Sequence, residues 1–137
     1  MAQTSALRTY ALGDRVYVTA QQFWAILAGF VMWGQRSGEQ ALITRGKLVE
    51  MAGYADGRAA RVMGNRLEII SQFCLDREIP DLSSIAISRP SGLPGAHVVY
   101  QADGMTTAAQ RSALAYTWYG IAVPTTGMLR TVWEGQS

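Results

Sequence analysis

Thr44-Arg45-Gly46-Lys47-Leu48-Val49-Glu50-Met51-Ala52-Gly53, followed by Ala59-Ala60-Arg61-Val62-Met63-Gly64-Asn65-Arg66-Leu67, is the stretch on which the fold turns. Thr44 is a strong N-cap residue, because its hydroxyl accepts from an otherwise orphaned amide in the first helical turn. Leu48, Val49 and Met51 give the next turns an apolar side, and Gly53 stands where a helix commonly ends in left-handed backbone. Residues 54–57 make a turn. From 57 to 78 the apolar residues Ala59, Met63, Leu67, Ile70 and Cys74 recur at spacings of four, four, three and four, which puts them on one stripe of a long helix. Its other side carries Arg58, Arg61, Asn65, Glu68 and Gln72, polar and mostly basic towards the N-terminal half, and Pro80 stops it.

Upstream, Thr19 with Gln22 three residues later has the pattern of a capping box. Phe23, Trp24, Ile26, Leu27, Phe30 and Val31 follow at helical spacing, predicting a helix from 19 to about 33, with a Gly-, Ser- and Gln-rich loop over 34–40. Residues 1–18 read as an N-terminal extension or arm, and 19–137 as the domain. Downstream, 84–88 is a short β-branched run, Ser91-Gly92-Leu93-Pro94-Gly95 a turn, and 98–100 a further strand segment. Thr107 with Gln110 repeats the capping-box pattern before a helix through Arg111, Leu114 and Trp118 that ends at Gly120. The tail reads as a strand over 121–123, a turn at Pro124-Thr125-Thr126-Gly127 and a second strand over 128–133. Two helices across a tight turn, followed by such a hairpin, make a winged helix-turn-helix: an α+β, mainly α fold with a small β-hairpin wing.

Bulk properties fit this reading. A chain of 137 residues, 49% hydrophobic and 16% charged, suits one packed domain and excludes a disordered or solenoid chain. The net charge of +2 is too small to prove a nucleic-acid partner. Its distribution says more: from 36 to 66, six cations (Arg36, Arg45, Lys47, Arg58, Arg61, Arg66) face three anions (Glu39, Glu50, Asp56), a local +3. Lys47 is the only lysine, and guanidinium suits bidentate phosphate contact and stacking better than ammonium does. The same pattern is also that of an ordinary solvated helix face. Cys74 is the single cysteine, so no internal disulfide or cysteine metal cluster can form, and a reducing, cytoplasmic setting is expected. No signal peptide is expected in 1–19, which lacks a continuous apolar run, and no membrane contact is expected, since the apolar run 23–33 is about half a bilayer span.

The two quoted blocks resemble the core of the alkylguanine-DNA alkyltransferases and the alkyltransferase-like proteins. Gln22-Phe23-Trp24-Ala25-Ile26-Leu27 resembles the helix that precedes the block in that family. Gln110-Arg111, Gly120-Ile121-Ala122-Val123 and Trp133 resemble its closing helix and final strand pair. The resemblance spans roughly 20–134. It implies a helix lying against the DNA minor groove, with Arg61 inserted into the base stack and Ala60 and Gly64 allowing close backbone approach. The alternative is that Ala60 and Gly64 serve helix packing and Arg61 is solvated.

Two departures remove chemistry. Where the family carries proline, cysteine (tryptophan or alanine in its non-catalytic branch), histidine and arginine, this chain reads Pro80-Asp81-Leu82-Ser83-Ser84-Ile85-Ala86-Ile87, with neither thiol nor imidazole. Thiolate attack on an alkyl group needs an activated cysteine, so no enzyme activity is expected and Cys74 reads as core. Arg45 replaces the family's tyrosine after the cap, a residue that helps rotate the phosphate, leaving Arg45 and Lys47 as plain phosphate-binding cations. His97, the only histidine, lacks partners for a metal site or a triad, and the acidic group Asp76, Glu78 and Asp81 reads as solvated. No cofactor and no metal are expected. The expected partner is double-stranded DNA, held by Arg45, Lys47, Arg58, Arg61, Asn65, Arg66 and Arg130. The rival is a protein–protein inhibitor or adaptor, phage or mobile-element encoded, that reuses the scaffold on a host complex.

Overall fold

The computed structural model describes residues 15–38, 42–54, 65–87, 102–103 and 106–135. The chain is mainly helical with very short strands: α1 (Arg15–Ser37), β1 (Ile43–Thr44), α2 (Arg45–Met51), α3 (Arg66–Arg77), a 3₁₀ turn (Leu82–Ile85), β2 (Ala86–Ile87), β3 (Ala102–Asp103), β4 (Thr106–Thr107), α4 (Ala108–Ala115), a second 3₁₀ turn (Trp118–Gly120) and α5 (Thr126–Gly135). β1 and β2 pair in parallel, Ile43 beside Ala86 and Thr44 beside Ile87. β3 and β4 form an antiparallel hairpin.

α1 is the axis of the core. Its 23 residues extend for about 34 Å at 1.5 Å per residue. Tyr17, Ala20, Phe23, Trp24, Leu27, Ala28 and Val31 recur every three or four residues and are buried, so one side of the helix is sealed against α3, α5 and both 3₁₀ turns. The Trp24 ring meets Phe73 edge-on at 5.6 Å and Trp118 edge-on at 5.8 Å, joining three separate parts of the chain. The other face is open: Ala25, Gly29 and Trp33 lie in solvent. By length and composition α1 is apolar enough to cross a membrane, although its Phe23, Trp24, Leu27 and Val31 are at the centre of the protein core.

The expected start of this helix is corrected. It begins at Arg15, so Thr19 is an interior residue, buried, with its hydroxyl 3.1 Å from the Tyr54 hydroxyl. Packing of Tyr17 against the core extends the helix four residues beyond the local capping signal, and the C-terminal end reaches Ser37 instead of Trp33. α2 follows the expected pattern: Thr44 caps it by accepting from the Lys47 amide at 3.1 Å, and Gly53 carries φ +95° just past its end. α3 buries Leu67, Ile70 and Cys74 as the spacing requires, and Ile69 and Phe73 as well. It starts at Arg66, and the expected helix over 57–64 lies outside the described residues. Its end is a left-handed Glu78 at φ +58°, two residues before Pro80.

The third correction concerns the wing. The tail is not a strand pair: 126–135 is a helix, so Gly127 and Arg130 belong to α5 and not to a hairpin tip. Thr125 accepts from the Met128 amide through its hydroxyl and from the Leu129 amide through its carbonyl, both at 3.1 Å, which starts the helix. Leu129, Val132 and Trp133 then fall on one helical side, with Leu129 fully enclosed. The β-branched run at 84–88 is also shorter as a strand than expected, because 82–85 is a 3₁₀ turn and β2 holds two residues. Trp118 leaves the preceding helix, which ends at Ala115, and enters its own 3₁₀ turn. The strand expected at 98–100 lies outside the described residues.

Candidate nucleic-acid interface

Arg45 and Lys47 stand in the first turn of α2, and Asn65 and Arg66 at the start of α3. Arg45 is the first residue of α2, directly after the Thr44 cap, and is half-buried. Its Nε is shielded from solvent and has no hydrogen-bond partner among the described residues. Arg66 occupies the matching place on α3, after Asn65, and is likewise half-buried with a shielded, unpartnered Nε. Asn65 sits at the cap position of α3 without a side-chain capping bond.

Lys47 is exposed and paired with Glu50, Nζ to Oε1, at 3.0 Å, both side chains about 59% exposed. A surface pair of this kind contributes between about zero and 1 kcal/mol, so an incoming anion can displace Glu50 at little cost. Gly46 between the two cations is exposed, and a Cβ there would meet nothing within 4 Å. Arg58, Ala60, Arg61 and Gly64, the centre of the expected minor-groove helix, lie outside the described residues.

Arg130 is half-buried and engaged with neighbouring side chains. Its guanidinium lies 5.1 Å from the Tyr17 ring centroid, and its Nε is 3.8 Å from Glu134 Oε2. This corrects its expected placement: it lies not on a hairpin wing but in α5, one helical turn before Glu134, where it joins α5 to the start of α1.

Where the resemblance would place reactive groups, the structure places a hydrogen-bonded knot. Asp81 accepts from Ser71 Oγ at 2.6 Å, from Ser83 Oγ at 2.6 Å and from the Ser83 amide at 3.0 Å. The Ser84 hydroxyl donates to the Asp81 carbonyl at 2.8 Å. Ser83 and Ser84 are fully enclosed, and Gln110 Nε2 closes the knot from α4 by donating to the Ser84 carbonyl at 3.1 Å. Local sequence reasoning missed this role for Asp81, which is not merely solvated; the aspartate two residues before a serine amide was the available signal. Cys74 is enclosed as expected, and burial pushes its thiol far towards the protonated form. Among the described residues no group of three or more His, Cys, Asp or Glu gathers in metal-binding fashion.

A groove of about 640 Å³ lies between α3 and α5, lined by Gln72, Asp76, Arg77, Thr125, Met128 and Thr131 among others. Arg77 pairs with Asp76 at 3.3 Å and covers the Phe73 ring at 4.7 Å. The chain matches no protein-family model, no curated protein and no solved structure.

Proposed function

We propose that the chain is a non-enzymatic, cytoplasmic DNA-binding protein of the alkyltransferase-like type. In this reading it is a winged helix-turn-helix built on α2 and the segment leading into α3, with Arg61 directed to the minor groove and Arg45, Lys47 and Arg66 on phosphates. The observation that carries the reading is that Arg45 and Arg66 each begin a helix half-buried, with an Nε that has no hydrogen-bond partner among the described residues. A phosphate meeting the half-buried guanidinium groups of Arg45 and Arg66 would supply a countercharge, in charge-assisted bonds roughly twice as strong as neutral ones. No thiol or imidazole stands at the 80–87 segment, and its serine hydroxyls are committed to Asp81. Both features support a reading of binding without transfer chemistry.

Gel shifts with plain, mismatched and alkylguanine duplexes test it. Retardation of at least one duplex, weakened by Arg61→Ala and without loss of the alkyl group, is the expected result. No retardation of any duplex at low salt contradicts the reading.

A second reading, an inhibitor or adaptor acting on a host protein complex, is favoured by a different observation. Trp33 is 53% exposed on the outer face of α1, its ring 5.5 Å from that of Phe30 at a tilt of 39°, and in line with Ala25 and Gly29. A protein captured from nuclease-treated bacterial lysate by the wild type and lost with Trp33→Glu would support this reading over the first.

A further inference from the structure

We draw no further inference here: the strongest candidate, the outer face of α1 at Ala25, Gly29 and Trp33, with no charged residue between Arg15 and Arg36, carries nothing because nothing in the structure shows what covers it.

Discussion

The Tyr17 hydroxyl donates a 2.7 Å hydrogen bond to Glu134 Oε2, joining the first turn of α1 to the last turn of α5 across 117 positions of sequence. Arg130 lies over the same tyrosine ring and beside the same carboxylate, so the two ends of the described chain are held by one cluster. A partly buried hydrogen bond to a charged group contributes about 1–2 kcal/mol. Tyr17→Phe keeps the ring and removes the bond, and should lower unfolding stability by about that amount in urea titrations at neutral pH.

The same bond sets a pH dependence. Burial first, and then the Glu134 carboxylate, raise the Tyr17 phenol from 10.0 to about 12. The neutral phenol is the form that the folded state favours, so its contribution is complete below the unfolded value near 10 and is lost as pH rises towards 12. The urea midpoint of the wild type should therefore fall more steeply between about pH 10 and 12 than that of Tyr17→Phe, with parallel behaviour below pH 9. Identical slopes in the two proteins would refute the assignment.

Asp81 should matter more for folding than its surface-like sequence context suggests. Replacing it with alanine strands the amide and hydroxyl of Ser83, both fully enclosed, and removes the Asp81 acceptor from Ser71. One or two unsatisfied buried groups cost together about 3 kcal/mol. Asp81→Asn, which keeps an acceptor, should lose about half as much, and thermal unfolding of the two variants gives the comparison.

Capping and periodicity together made α2 and the buried side of α3 legible. Thr44, Leu48 and Gly53 defined α2 correctly, and the stripe Leu67, Ile70 and Cys74 defined the buried side of α3. The start of α1 was misplaced because the Thr19 hydroxyl looks the same as a cap and as a buried partner for Tyr54, and only tertiary packing separates the two. The tail was misread because Ile121, Val123, Thr125, Thr126, Thr131 and Val132 are β-branched, while the spacing of Leu129, Val132 and Trp133 is helical; burial of Leu129 decides for the helix. Arg130 shared that error, since its neighbours Tyr17 and Glu134 follow from the helix alone. The interactions of Asp81 with Ser71 and of Gln110 with Ser84 span 10 and 26 positions, beyond the reach of a local pattern.

The two central tryptophans should respond differently to the same substitution. Trp118 donates its indole N–H to the Ala113 carbonyl at 2.7 Å, whereas Trp24 Nε1 is enclosed with no partner among the described residues. Phenylalanine removes a satisfied donor at the first site and an unsatisfied one at the second. Trp118→Phe should therefore be more destabilising than Trp24→Phe by about 1–2 kcal/mol in chemical denaturation. Equal losses would place a hydrogen-bond acceptor at Trp24.

Salt titration of duplex binding is the most direct test of the proposal that Arg45 and Arg66 await phosphate. Fluorescence anisotropy with a labelled duplex, run from low to physiological salt, should give for the wild type a log–log slope that shrinks by about 0.9 for Arg45→Gln, by the same for Arg66→Gln, and by about twice that for the double variant. Binding whose slope is the same in all four proteins, or no duplex binding by the wild type at low salt, would contradict it.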